Sequence, residues 1–299
     1  MTYSATEYNL SDLLQDSYRE LGQLNISTAT GGSATTVVDS KQADKAGGDD
    51  AWNDGAIFII EDATTAGTSP EGKFALITGY ADSTGTFTFA TMTDAVASGD
   101  TYGYANNMWP LYMMIEFAND ALRSLGDIPL IDTTSTDSAA NQTEYTYAIA
   151  WTRRPPIKVE IQTRTGDSDD NQWLEIKNWE YRPATAGSTG LIVLDQLPTS
   201  RDIAIWYMDR HPRVNTYDDP ILKAIHPELA KKATVEQALQ WQNRRMMGGD
   251  DFLMQTWNDA KAQLMLSKVD YPIWRPKTKS KLLILGGYSE GDNLNAPDE

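Results

Sequence analysis

With 299 residues, 40% of them hydrophobic, the chain can bury a sizeable core in one to about three domains. It contains no cysteine, which excludes disulfides and thiolate metal sites. A net charge of −17 argues against tight sequence-reading contact with a phosphate backbone, which needs lysine and arginine.

The acidity is uneven. Residues 1–150 hold 5 Lys and Arg against 21 Asp and Glu, whereas the second half is close to neutral. Such a chain could border a DNA passage without gripping it. The N-terminal stretch MTYSATEYNLSDLLQ has neither a basic start nor an apolar core, and no apolar run approaches the ~20 residues that span a bilayer. The expectation is a soluble protein made in a cytoplasm, with no membrane partner.

In chain order, Leu10, Leu13, Leu14, Leu21 and Leu24 recur at helical steps, with Asn9 or Ser11 as the cap and Gly22 as the stop. This predicts a helix over 9–23, so that residues 1–24 give the first helix of a helical core. Residues 25–105 read as an inserted all-β module, because AIFIIED, GKFALITGY, GTFTFAT and DTYGYA are β-branched and aromatic runs cut by Gly and Asp turns.

Within that module, GDDAWNDGAIFIIED imitates a calcium loop. Counted from Asp50, carboxylates fall at positions 1, 5 and 12 (Asp50, Asp54, Glu61), with Gly55 at 6 and Ile57 at 8. Position 3, however, is Trp52, and a strand rather than a helix follows. The better reading is a turn at Asn53–Gly55 with positive φ, with Trp52 packed in the module.

Residues 106–130 are expected to form a core helix, with a stripe of Leu111, Ile115, Ala118, Leu122 and Leu125 and a stop at Gly126 and Pro129. Residues 131–215 read as an antiparallel β domain, with strands near 143–151, 157–164, 172–181, 190–195 and 201–208. Residues 216–270 give two more core helices, over 220–246 with an interruption near Pro227 and over 250–268. The fold class expected is therefore α+β: a helical bundle with an inserted small all-β module and a central antiparallel sheet domain.

Catalytic machinery is scarce. His211 and His226 are the only histidines and both precede proline, and the HExxH, GxSxG, Walker A and GxGxxG patterns are missing. Asp167, Asp169, Asp170 and Trp173 could serve a glycosidase, although GDSDDN is also an ordinary hairpin loop. Asp250-Asp251 suits a helix N-terminus. Trp151, Trp173, Trp179 and Trp206 sit in strand-like runs where core or subunit packing is the common use. No enzyme, cofactor or metal is expected.

Residues 271–299 form an extended arm. Arg275, Lys277, Lys279 and Lys281 alternate with Pro, Thr and Ser, and Leu282, Leu283, Ile284 and Leu285 follow. That spacing suits an extended segment charged on one face, which adds to an edge strand or docks in a groove of another chain.

The order of elements resembles the head-to-tail adaptor (connector, or neck) proteins of tailed bacteriophages. It is carried by a first helix ending YRELGQL, the β insert from GGSATTVVDS to ASGDTYGYA, a helix with ANDALRSLGDI, a Trp-rich sheet ending IAIWYMDRHP, and closing helices. The resemblance implies a non-enzymatic virion protein at the head-tail junction. It also implies a ring, usually of twelve copies, beneath the portal and above the tail, with genomic DNA as passing cargo. A terminal segment of such adaptors commonly grips the portal. In this chain the candidates are Arg275, Lys277, Lys279 and Lys281 as guides and Leu282 to Leu285 as the packed part. Other readings are a tail-completion, tube or baseplate component, or a carbohydrate-binding virion protein.

Overall fold

The computed structural model describes residues 7–45, 47–63, 69–133, 137–139, 141–147, 156–162, 173–182, 190–195, 200–246 and 250–274. The fold is α+β, with four α-helices and antiparallel sheets among these residues.

Helix α1 runs Leu10–Glu20. Asn9 is its cap: the Asp12 N–H donates to the Asn9 side chain and the Asn9 N–H donates to the Asp12 carboxylate, a reciprocal pair that fixes the start. Gly22 adopts φ +68° just past its end, a conformation that glycine reaches without strain. Leu10, Leu13, Leu14 and Tyr18 are fully buried.

A seven-stranded antiparallel sheet follows, in the order β1-β7-β4-β5-β6-β3-β2. Its strands are β1 (Asn25–Thr28), β2 (Gly31–Gly32), β3 (Thr36–Val38), β4 (Ala56–Glu61), β5 (Phe74–Ala81), β6 (Thr86–Phe89) and β7 (Thr101–Ala105). The run AIFII explains why β4 lies within the sheet. Ala56 and Phe58 face the helices while Ile57 and Ile59 face the aromatic core of the sheet, so both faces of the strand are covered. Asp39 pins that core from within. Fully buried, it accepts from Ser27 Oγ at 2.5 Å, Lys41 N at 2.9 Å and Tyr102 Oη at 3.0 Å. Burial raises its pKa, but these donors together outweigh it and hold the carboxyl below the ordinary range.

The calcium-like stretch is two turns and a strand. Asp50 and Asp54 take φ of +61° and +66°, and the Gly55 N–H closes the second turn on Trp52 O at 3.0 Å. Asp50 spends a carboxylate oxygen on the Tyr80 N–H, and Trp52 packs on Phe87 and Tyr104. Gly55 needs its missing side chain, because a Cβ there would lie 2.1 Å from Ala105 O.

Helix α2 (Leu111–Ser124) buries a wider face than the expected stripe. Met114, Phe117 and Ala121 join Leu111, Ala118 and Leu122, while Ile115 is only half-buried. Pro129 does not merely follow the helix. It lies in an unforeseen strand, β8 (Ile128–Asp132), which among the described residues pairs only with β14, and such an edge position tolerates proline.

The second β region is two sheets rather than one. One has the order β11-β10-β14-β8 and the other β12-β13-β9. The strands are β9 (Glu144–Tyr147), β10 (Lys158–Gln162), β11 (Trp173–Glu175), β12 (Trp179–Arg182), β13 (Gly190–Leu194) and β14 (Ile203–Asp209). The single strand expected over 172–181 therefore breaks after Glu175 and its halves join different sheets. Ile176 and Trp179, on either side of the break, both pack on the apolar cluster that Tyr145, Val159, Ile192 and Ile205 share. Asp167, Asp169, Asp170 and Trp151 lie outside the described residues.

Helix α3 (Pro227–Arg245) begins later than expected, with His226 as cap and Pro227 as first residue, where its missing N–H costs nothing. Helix α4 (Asp251–Asp270) is capped by Asp250, whose carboxylate accepts from Leu253 N at 3.1 Å. Helix α3 packs against α1, α2 and α4, and one apolar cluster joins all four helices to β4 and β7.

Candidate docking site

The eight residues singled out for docking, Arg275, Lys277, Lys279, Lys281 and Leu282 to Leu285, lie outside the described residues. What the structure does define is the root from which they extend and the surfaces around it.

The root is residues 271–274. Tyr271 ends α4 by stacking flat on His226, with ring centroids 3.9 Å apart at 8°. Trp274 meets Trp206 of β14 edge-on at 6.4 Å. Trp206 is itself fixed, donating to Glu160 Oε2 at 2.6 Å beneath the Lys158 ammonium. Two aromatic contacts thus lead the chain off α4 toward the four-stranded sheet, while Trp274 keeps 62% of its surface exposed. Between this root and residues 220–227 lies a cavity of about 710 Å³. Its walls are Tyr8, Ile221, Ile225, Pro227, Pro272 and Trp274 among others.

The wall opposite the root is an irregular segment, 210–226, tied down by polar side chains that sequence periodicity does not reveal. Asn119 of α2 donates to Val214 O at 2.8 Å and accepts from Val214 N at 2.9 Å. Asp219 accepts from Asn215 N at 2.5 Å and Thr216 N at 2.8 Å, and these bonds hold its carboxyl below the ordinary range. Ile221 N donates to Tyr8 O at 2.9 Å, joining the segment to the start of α1. His211 is buried, with Nδ1–H donating to Pro212 O at 2.7 Å and Nε2 accepting from Leu222 N at 3.0 Å.

That pair of bonds requires neutral imidazole, and burial lowers the pKa of His211 below its ordinary value. The unfolded chain therefore takes up the proton first, so the contribution of His211 to stability is complete above about pH 6.5 and is lost as the pH falls below it. Unfolding titrations between pH 7.5 and 5 should show the protein weakening with acid, and His211→Gln should be less stable at neutral pH but flatter over that window. An equal slope in both proteins would assign the acid sensitivity elsewhere.

Helix α4 offers a second surface. Of its 20 residues it buries only Ala260, Leu264 and Ser267. Phe252, Leu266 and Val269 are 79%, 65% and 76% exposed, and Ala262 and Met265 lie on the same open side. Isolated exposed apolar residues are ordinary, but a row of them along one helix marks a contact surface. The overall hydrophobicity of the helix masks this signal, because its apolar residues are spread around the whole circumference.

Among the described residues, no group of three or more His, Cys, Asp or Glu is placed to hold a metal, and no helix is long and apolar enough to cross a membrane. Compared with known families and with curated proteins, the chain matches no family model and no protein at significant similarity.

Proposed function

We propose that the chain is a structural protein of a tailed-bacteriophage virion, a head-to-tail adaptor without enzymatic activity or cofactor. Its copies form a ring, of twelve, that seats beneath the portal at the neck and lets DNA pass to the tail. In this reading the architecture is a helical bundle carrying an inserted β module and a central antiparallel sheet domain.

The observation that carries the reading is the apolar patch on the C-terminal half of α4, where Met265, Leu266 and Val269 are exposed just before an aromatic root and a basic-aliphatic arm. A helix of this kind gains from covering by another chain, and an arm with Lys277, Lys279 and Lys281 ahead of Leu282 to Leu285 suits a groove on the portal. The acidic first half, set beside the channel, would weakly repel DNA and let it slide. Electron microscopy that found the β module on the outer rim of the ring would remove that last role.

Light scattering of the purified protein with and without its portal, backed by electron microscopy, tests the proposal. The expected result is a monomer that becomes a ring only on the portal. A protein that ignores the portal and stacks into tubes would be a tail component, and one that stays monomeric and binds glycans would be a carbohydrate-binding protein.

A further inference from the structure

A groove of about 600 Å³ lies between the C-terminal half of α3, α4 from Leu253 to Gln263 and the chain just after α1. Its floor is apolar, with Trp109 and Leu239, and its mouth carries Met108, Met246 and Phe252, all exposed. Among the described residues its lining includes three carboxylates, Glu20, Asp250 and Asp259, and no lysine or arginine. Lys231 and Lys232 hold Glu20, and one oxygen of Asp250 caps α4. Asp259 is exposed and makes no ion pair among the described residues. In the wall, Gln242 Oε1 is buried with no hydrogen-bond partner, an acceptor left open.

We infer that this groove receives a cationic amphipathic helix of another protein. Length is the first reason. From Leu253 to Gln263 the α4 wall rises about 15 Å, which is nearly three turns of a second helix. The backbone is the second. The walls are mostly helices, whose own backbone groups are spent internally, and of the described lining side chains Gln242 alone leaves a buried polar atom unpartnered. An extended segment laid here would bury a row of N–H and C=O groups with nothing to receive them. A helix satisfies its own backbone and can bury one side without that loss.

The side chains then specify the occupant. Its apolar residues, one per turn, meet Trp109, Leu239 and the methionines, whose unbranched chains adapt to different shapes. A lysine or arginine on its edge meets Asp259, and a donor beside the apolar row supplies the N–H that Gln242 Oε1 lacks. The same carboxylates turn away acidic helices and nucleic acid. A second copy of the chain, at a net charge of −17, is a poor occupant for the same reason. None of this rests on the adaptor reading, because the groove and its test need no portal.

The chain has no cysteine, so one introduced cysteine carries a fluorescent label at a chosen place. Met246→Cys puts the label at the mouth, and Thr84→Cys, exposed on the β module, is the control. The probe is an amphipathic leucine–lysine peptide of ~18 residues, long enough to be helical. It should change the emission at position 246 saturably and leave position 84 unchanged. A scrambled peptide of equal composition should bind at least about tenfold more weakly, and Phe252→Ser should cost the amphipathic peptide about tenfold. Asp259→Lys should cost about fivefold and reduce the salt dependence. Both replaced side chains are exposed, so urea unfolding should be unchanged. Equal binding of the scrambled peptide would reduce the attraction to net charge, and an equal response at position 84 would place the peptide elsewhere. Binding of a leucine–glutamate peptide would contradict the polarity of the rim. A dimer without peptide that Phe252→Ser dissociates would show that a second copy fills the groove. Each of these results, or no response at position 246, overturns the proposal.

Discussion

Tyr18→Ala is expected to lower the free energy of unfolding by about 4 kcal/mol, within the range for deleting a buried aromatic side chain. Tyr18 is fully buried and serves three elements at once. Its ring lies edge-on to Phe58 of β4 at 5.7 Å, which fastens α1 to the seven-stranded sheet. Its hydroxyl donates to Trp109 O at 2.7 Å, and Trp109 Nε1 donates in turn to Ala238 O of α3 at 3.2 Å. Burial pushes the phenol pKa well above its ordinary range, so the hydroxyl remains a donor throughout the accessible pH range. Tyr18→Phe keeps the ring and strands only the Trp109 carbonyl, a loss of about 1–2 kcal/mol. Urea unfolding of both variants separates the two contributions. Since whole domains are stable by roughly 5–15 kcal/mol, the alanine variant should unfold at a visibly lower urea concentration. Equal losses in both variants would place the effect in the hydroxyl, and no loss would mean that sheet and helices do not share a core through this residue.

The sequence made such a core legible where one period dominated. Leu10, Leu13 and Leu14 recur on one side of α1, and AIFII reads as a strand covered on both faces, so the α+β class and the early strands follow from pattern alone. The pattern failed where context overrode it. Pro129 signals a helix end, yet it sits in a strand that is at the edge of its sheet among the described residues, where proline is tolerated. The stretch 172–181 alternates like one strand, but the chain passes between two sheets at Ile176 to Trp179. Residues 220–226 carry Ile221 and Ile225 at a helical step, yet they form an irregular wall, because Leu222 N donates to His211 Nε2 and Ile221 N to Tyr8 O, bonds that no local period records. At the candidate site the basic-aliphatic arm was readable as composition. Its aromatic root was not, since the stacking of Tyr271 on His226 joins residues 45 positions apart in the chain.

That root sets the last expectation, which rests on the adaptor proposal. Deleting residues 275–299 should leave a folded protein and reduce its attachment to the portal by at least about 100-fold. The fold should survive because, among the described residues, the apolar clusters of the helices and sheets are complete without the arm and extend no further than Ile273. The attachment should fail for energetic reasons. Burying Leu282 to Leu285 contributes about 1.5–3 kcal/mol per side chain. Ordering an arm costs about 1–2 kcal/mol per backbone residue, so the net gain per copy is modest. Ring closure then multiplies it, since every seated copy raises the effective concentration of its neighbours. Replacing Arg275, Lys277, Lys279 and Lys281 together by glutamate should act differently. The charges steer the encounter, so association should slow and lose its dependence on salt, while the packed residues still hold a bound arm. Circular dichroism and urea unfolding check the fold, and co-sedimentation with portal particles at two salt concentrations checks attachment. Undiminished sedimentation of the deleted protein would move the portal contact away from the arm and onto the exposed side of α4, where Phe252, Leu266 and Val269 would be the next residues to replace.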